Sequence, residues 1–347
     1  VVVDAGGGSG SLDPDAACGI GTAEATLKPV DLLLMFDRSN SMAAEITIDP
    51  ETGLNRWDTA SSALKAFLAD PSTEGLGVAL RFFPDDEPTP GCVSPTCDVA
   101  VCAQPLVDIA TLSAEPAPDD THEQALLSAI DDATPPSPVD GGTPTGAALE
   151  GAVSWAKTHQ SNHPETRTVI LFVTDGQPEG CEERIRYFDG YLTDALSAGV
   201  STYFVGLTDA EGDNLHEGNM NHLAETGGTQ QAYFIQDGPT AAADLLGTLS
   251  AVRGQSIQCD FPLPESTSSG EEIDSKLVNV TYTAGNGSET DFTKVIAPAD
   301  CENSSSWYYD DESAPSRIHL CPAACDLVRA DPEAKFRILA GCMSVVK

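Results

Sequence analysis

Positive charge is what this sequence has least of. Against 54 Asp and Glu, its 347 residues hold only 17 Lys and Arg, seven of them Lys, and the formal net charge is −37. A surface of that sign repels phosphate backbones and anionic headgroups, which excludes nucleic acid and anionic membrane surfaces as partners. Long apolar runs are missing as well. The longest, Leu32 to Phe36 and Val169 to Val173, fall far short of the ~20 residues of a transmembrane helix. Aromatic residues make up only 6%, yet 41% hydrophobic against 20% charged residues is enough for a packed core and excludes disorder throughout.

The local signatures of common enzyme classes are also absent. There is no Walker loop, no Gly-x-Ser-x-Gly and no paired-histidine zinc motif. His122-Glu123 and His216-Glu217 begin like the last, but Leu126 and Met220 stand four residues after each histidine. Asp37 invites comparison with aspartyl phosphotransfer enzymes, which carry a second acid two residues on, where this chain has Ser39. The sequence therefore reads as non-enzymatic.

What is present is cysteine. Ten of them, an even number, suit an oxidising compartment and an extracellular or cell-surface location. Residues 1–27 contain the run Asp4-Ala5 followed by Gly6 to Gly8 and read as a flexible tether, with a lipid anchor upstream of residue 1 as an expectation. From 28 to 255 short apolar runs alternate with amphipathic stretches, the mark of an α/β fold with a mostly parallel, doubly wound sheet. Strands are predicted at Val30–Phe36, Leu76–Phe83, Thr168–Thr174, Ser201–Leu207 and Ala232–Gln236. Helices are predicted at Trp57–Ala69, His122–Ala133, Thr145–His159, Glu182–Ala198, Asn214–Thr226 and Thr240–Val252. Residues 84–105, rich in Pro, Asp and Cys, form an insertion before a short edge strand at Leu106–Ile109. After Gly254 helical patterning stops, and residues 256–347 read as a small, disulfide-rich β unit with strands near 277–283, 292–296, 307–309, 317–320 and 336–340.

Three segments carry chemistry. Asp37-Arg38-Ser39-Asn40-Ser41 follows the first strand, Gly141-Gly142-Thr143-Pro144-Thr145-Gly146 opens a helix, and Val173-Thr174-Asp175-Gly176 closes another strand. In an open α/β sheet, ligands bind outside the carboxyl ends of the strands where strand order reverses, and all three segments converge there. In this order and on these elements they resemble the von Willebrand factor type A domain and its metal-ion-dependent adhesion site, over roughly residues 28–255. The resemblance places the family's five metal positions on Asp37, Ser39, Ser41, Thr143 and Asp175. It implies a six-stranded sheet of order 3-2-1-4-5-6 whose third strand is an antiparallel edge.

Hydroxyl, carboxylate and water oxygens are hard donors, so Mg²⁺ is expected, with Ca²⁺ or Mn²⁺ as alternatives. By the resemblance Ser39 and Ser41 bind the ion directly, Thr143 directly or through water, and Asp37 and Asp175 mainly through bridging waters. Neutral donors leave the cation short of negative charge, and a Glu or Asp carboxylate of a protein partner supplies it. The implied function is an adhesion or protein-binding module. The alternative is a structural subunit of a surface assembly, with possible self-assembly and a vestigial or folding-only metal site.

The insertion leaves the second strand at the same sheet edge as the metal loops. One of Cys92, Cys97 and Cys102 is therefore expected to pair with Cys181 and the other two with each other, making a stapled lid or a mere ornament. Cys18 with Cys259 is a further expected pair, and Cys321 and Cys325 are each read as disulfide-bonded rather than as zinc ligands. Asn279, Asn286 and Asn303 begin sequons, and Trp307-Tyr308-Tyr309 reads as a packing strand rather than a carbohydrate-facing patch.

Overall fold

The structure, a computed structural model, describes residues 22–25, 29–43, 47–49, 54–133, 142–208, 217–236, 240–256, 259–263, 275, 278–302, 304–329, 331 and 335–340. The Gly-rich stretch before residue 22, Cys18, Gly141, His216, Asn303 and Cys342 lie outside these residues. The chain divides into two compact units, residues 28–256 and residues 257–347 together with the segment before 28. That segment contributes strand β1 (Thr22–Ala25), where the sequence suggested only a tether.

The unit 28–256 contains β2 (Val30–Asp37), a small antiparallel pair β3 (Thr47–Asp49) and β4 (Leu54–Asn55), α1 (Arg56–Leu68), β5 (Gly77–Phe83), α2 (Val99–Cys102), β6 (Val107–Thr111), α3 (Thr121–Asp132) and α4 (Thr145–Asn162). It continues with β7 (Arg167–Thr174), α5 (Asp189–Ser197), β8 (Ser201–Thr208), α6 (Glu217–Thr226), β9 (Tyr233–Gln236) and α7 (Ala241–Ser256). Its six-stranded sheet has the order β6-β5-β2-β7-β8-β9, which in chain order is 3-2-1-4-5-6. Every pair is parallel except β5 with β6, so the third strand is the antiparallel edge.

The apolar runs of β2 and β7 follow from this position. Both strands lie between helical layers, so both of their faces must be apolar. Successive side chains alternate: Leu32, Leu34 and Phe36 pack with α1, α3 and α7, whereas Leu33 and Met35 pack with α4, α5 and α6. Helix α1 starts at a capping box in which the Asn55 side chain accepts from the Asp58 amide at 2.8 Å and the Asn55 amide donates back to the Asp58 carboxylate.

The predicted helix Glu182–Ala198 is shorter than its pattern, since only Asp189–Ser197 is α-helical. The reason is local. Glu182 accepts from both the backbone and the guanidinium of Arg184, which bends residues 182–184, and a 3₁₀ turn at Ile185–Tyr187 follows. Helix α7 runs through Gly254 to Ser256, past the break expected there.

The β unit carries β10 (Asp260–Pro262), β11 (Val278–Thr283), β12 (Glu289–Lys294), β13 (Ser306–Tyr309), β14 (Arg317–Leu320), α8 (Pro322–Arg329) and β15 (Lys335–Ala340). With β1 they form a sheet of order β1-β15-β11-β12-β13-β14-β10. Helix α8 was not expected; Ala324, Cys325 and Val328 on its inner side join the core around Trp307, Phe292 and Ile318. Trp307 and Tyr309 are buried, and the Trp307 indole N–H donates to the Phe292 carbonyl at 3.1 Å, so this run packs. Asn279 and Thr281 are buried along with Val278, Val280 and Tyr282, so β11 is covered on both faces and the Asn279 sequon is inaccessible in the fold.

Disulfides join Cys92 to Cys102, Cys97 to Cys181, Cys259 to Cys325 and Cys301 to Cys321. The insertion pairs as expected. Cys259 does not, because α8 brings Cys325 beside it. Among the described residues no helix is long and apolar enough to cross a membrane.

Candidate metal centre

Strand order reverses between β2 and β7, and the candidate residues stand at the carboxyl ends of these two strands. Asp37 is the last residue of β2, and Asp175 follows the last residue of β7. Neither carboxylate has any exposed surface. Asp37 Oδ1 accepts the Ser39 amide at 2.8 Å, which folds the loop back on itself. Asp37 Oδ2 accepts the Thr174 hydroxyl from the adjacent strand at 2.5 Å. Ser41 donates its hydroxyl to Asp175 Oδ1 at 2.7 Å, and Ser39 Oγ lies 2.9 Å from Ser41 Oγ. A hydroxyl has one proton, so with the Ser41 proton on Asp175, the Ser39 hydroxyl is the donor to Ser41.

Thr143 reaches the same place from another segment. Its amide donates to the Glu179 carbonyl at 3.1 Å and its carbonyl accepts the Glu179 amide at 2.9 Å, which ties it to the loop after Asp175. A Cβ built on Gly176 would stand 3.7 Å from both the Ser41 and the Thr143 hydroxyl oxygens, so these two hydroxyls face one small volume. Gly142, just before Thr143, has φ +60°, and a Cβ there would stand 2.7 Å from the Glu179 carbonyl oxygen. Only glycine fits both demands. All five expected positions are thus brought together.

Two buried carboxylates at this range repel and lack hydration. Burial, then the facing Asp175 charge, push Asp37 from 3.8 up to about 7, against the lowering effect of the Thr174 and Ser39 hydrogen bonds. Burial also raises Asp175, opposed by the Ser41 hydroxyl and by Arg56. The Arg56 Nη1 atom lies 3.0 Å from Asp175 Oδ2, and both side chains are buried. Sequence reasoning passed over Arg56, since an arginine on the first turn of an amphipathic helix ordinarily faces water. Thr174 was read only as a strand end.

Among the described residues no three His, Cys, Asp or Glu side chains converge as a metal group. An ion held at this centre therefore depends on hydroxyl oxygens. The donor set fits a hard divalent cation: three hydroxyls and two carboxylates that a cation would hold in the ionised form.

The insertion borders the site. Arg38, buried within the first loop, donates its amide to the Phe83 carbonyl at 2.7 Å and pairs with Asp85 at 3.1 Å, which Arg81 also approaches at 3.4 Å. Cys97 joins the insertion to Cys181, and Ser94 Oγ donates to the Gly180 carbonyl at 2.9 Å. The insertion is therefore fastened to both aspartate-bearing loops.

These features define an α/β unit with one polar centre at its topological switch point. The sequence model of the von Willebrand factor type A domain matches residues 114–247, a span that holds Thr143 and Asp175 and begins beyond Asp37, Ser39 and Ser41. The comparison with curated proteins gives no match. Among solved structures, the chain is similar to the conserved hypothetical protein BatB from Bacteroides thetaiotaomicron, at 16% identity over 64% of this chain and 98% of that one, with a TM-score of 0.40. It is similar to the pilus adhesin SpaC from Lactobacillus rhamnosus GG at 14% identity over 90% of this chain and 39% of that one, with a TM-score of 0.43. A third is the proximal thread matrix protein 1 of the mussel byssus, described with a zinc occupied MIDAS motif, at 14% identity over 70% of this chain and 50% of that one, with a TM-score of 0.41.

Proposed function

We propose that the unit 28–256 is a metal-dependent protein-binding module, in which Ser39, Ser41 and Thr143, with Asp37 and Asp175 behind them, hold a divalent cation that captures an acidic side chain of a partner protein. The observation that carries this reading is the convergence of five oxygen-bearing side chains from three distant segments, linked Ser39 to Ser41 to Asp175 within 2.9 Å. The ion would supply Lewis acidity toward one carboxylate oxygen. The chain's own residues would do the rest: the hydroxyls would present neutral oxygens, with the Ser41 proton held by Asp175 and the Ser39 proton held by Ser41, so that oxygen lone pairs are left for the ion. A partner carboxylate then completes the sphere. This is binding chemistry, with no nucleophile or base assigned to it. Mg²⁺ is the ion proposed, with Ca²⁺ and Mn²⁺ as competitors. Four disulfides support an extracellular or cell-surface setting.

The test is calorimetric titration of Mg²⁺, Ca²⁺ and Mn²⁺ into chelator-treated protein and into Asp37→Ala, in physiological salt to suppress diffuse binding to the −37 surface. Saturable one-site binding that the substitution abolishes is the expected result. Equal, non-saturable heats in both proteins would sink the reading.

A further inference from the structure

We infer that Arg38 and Asp85 form a positioning pair of the metal centre, through which the cysteine-rich insertion holds the Asp37–Ser41 loop in the geometry a small cation requires. The inference rests on the reading of the centre as a divalent-cation site. Arg38 lies outside the five expected positions but between two of them, Asp37 and Ser39. Those neighbours bond toward Thr174 and Ser41, whereas Arg38 bonds toward the insertion. Its amide donates to the Phe83 carbonyl at 2.7 Å, and its Nη2 atom stands 3.1 Å from Asp85 Oδ1. The residue is pinned at both its backbone and its head. Its guanidinium also lies over the Phe82 ring, 5.8 Å from the centroid.

Asp85, the second residue of the insertion, is a fixed point with no exposed surface. Its amide donates to the Cys92 carbonyl at 3.0 Å, its Oδ1 atom accepts the Glu87 amide at 3.4 Å, and Arg81 Nη1 stands 3.4 Å from its Oδ2. Cys92 is itself bonded to Cys102. Burial raises the Asp85 carboxyl, and Arg38, ahead of Arg81, is the larger charge opposing that rise. Drawing Arg38 away would separate a guanidinium from a carboxylate with both out of water, which is costly. The backbone between Asp37 and Ser39 is therefore held against displacement. Mg²⁺ needs this more than Ca²⁺ does: the smaller ion demands near-octahedral oxygens at about 2.1 Å, whereas Ca²⁺ accepts more oxygens at longer and more variable distances. An intact pair favours Mg²⁺ over Ca²⁺, and the insertion becomes a determinant of which ion the centre takes.

The experiment titrates Mg²⁺ and, separately, Ca²⁺ into the intact chelator-treated protein and into Arg38→Met, Asp85→Glu and Arg38→Lys by calorimetry, with a thermal melt of each to establish folding. Arg38→Met keeps an unbranched stem and leaves Asp85 paired with Arg81; it is expected to lower the ratio of Mg²⁺ to Ca²⁺ affinity ~5-fold or more. Asp85→Glu keeps both charges and displaces their contact by one methylene. It should lower the ratio by a smaller factor, and it decides the matter if Arg38→Met does not fold. Arg38→Lys returns a charged donor to Asp85 and should recover most of the Mg²⁺ preference, since the contact uses a single guanidinium nitrogen. Removing a charge near the centre, or lowering the folded fraction, acts alike on two divalent ions and leaves this ratio unchanged. An unchanged ratio in the folded variants, beside saturable Mg²⁺ binding by the unsubstituted chain, overturns the inference and leaves the metal site standing. Saturable binding of Ca²⁺ but not of Mg²⁺ by the unsubstituted chain does the same. Absence of saturable binding of either ion in all four proteins overturns the site reading and the inference with it.

Discussion

Asp37 shows how far one residue depends on its surroundings. In the metal-free chain its carboxyl is pushed from 3.8 to about 7, chiefly by burial and then by Asp175. The folded state thus holds a proton that the unfolded chain releases, and this contribution to stability is full below ~pH 4 and is lost as pH rises through ~7. In the presence of chelator, urea denaturation should show the unsubstituted chain losing stability between ~pH 4 and ~pH 7 relative to Asp37→Asn, which lacks the titrating group. Saturating Mg²⁺ should remove the difference, since it favours the ionised form. Parallel pH profiles for the two proteins in chelator would contradict the assignment. At this scale the sequence was informative about which oxygen-bearing side chains come together, because the Asp-x-Ser-x-Ser loop is contiguous. It was silent about Arg56 and about the role of Thr174, because a bare sequence carries no measure of burial and a strand-to-strand hydrogen bond leaves no local pattern.

Among elements, the turn before α4 and the insertion between β5 and β6 do the positioning. Gly142 allows the turn through a positive φ and a close approach to Glu179. Gly142→Ala should shift Thr143 and weaken Mg²⁺ binding by about tenfold or more while the chain stays folded, since the strain is confined to one turn. Calorimetry together with a thermal melt checks both halves of this statement; unchanged affinity would place Thr143 outside the ion's reach. The Cys97–Cys181 bridge closes a loop of sequence separation 84. Replacing both cysteines by serine should lower stability by ~2–4 kcal/mol, measured by denaturant unfolding. The pairing within the insertion was legible because parallel β2 and β5 leave the sheet at the same edge, which restricts the partners of Cys181. The extent of α5 was not legible. The apolar spacing through 182–198 suits a helix, and only the Glu182–Arg184 hydrogen bonds divert its first turns.

At the scale of the whole molecule, two segments more than 300 residues apart share one sheet, where β1 pairs antiparallel with β15 from Thr22↔Leu339 to Ala25↔Phe336. The unit 28–256 is thus inserted between two parts of the β unit. Deleting residues 1–27 would strip β15 of that neighbour and expose a sheet edge. The expected result is a β unit that unfolds at lower denaturant while Mg²⁺ affinity is retained. Trp307 fluorescence in a Trp57→Phe, Trp155→Phe background reports on the β unit alone, since the sequence holds three tryptophans. An unchanged Trp307 transition would show that β1 adds nothing to this unit's stability.

The sequence by itself determined the α/β pattern, the acidic surface and the five oxygen-bearing positions. These are properties of residue type and local spacing, and a strand buried on both faces or a loop of alternating hydroxyls announces itself over a few residues. Tertiary structure alone decided that Arg56 enters the centre, that Cys259 meets Cys325 on α8, and that Thr22–Ala25 is a strand. Each of these is a contact between segments far apart in the chain, and its energy comes from burial and pairing that no local window of sequence contains.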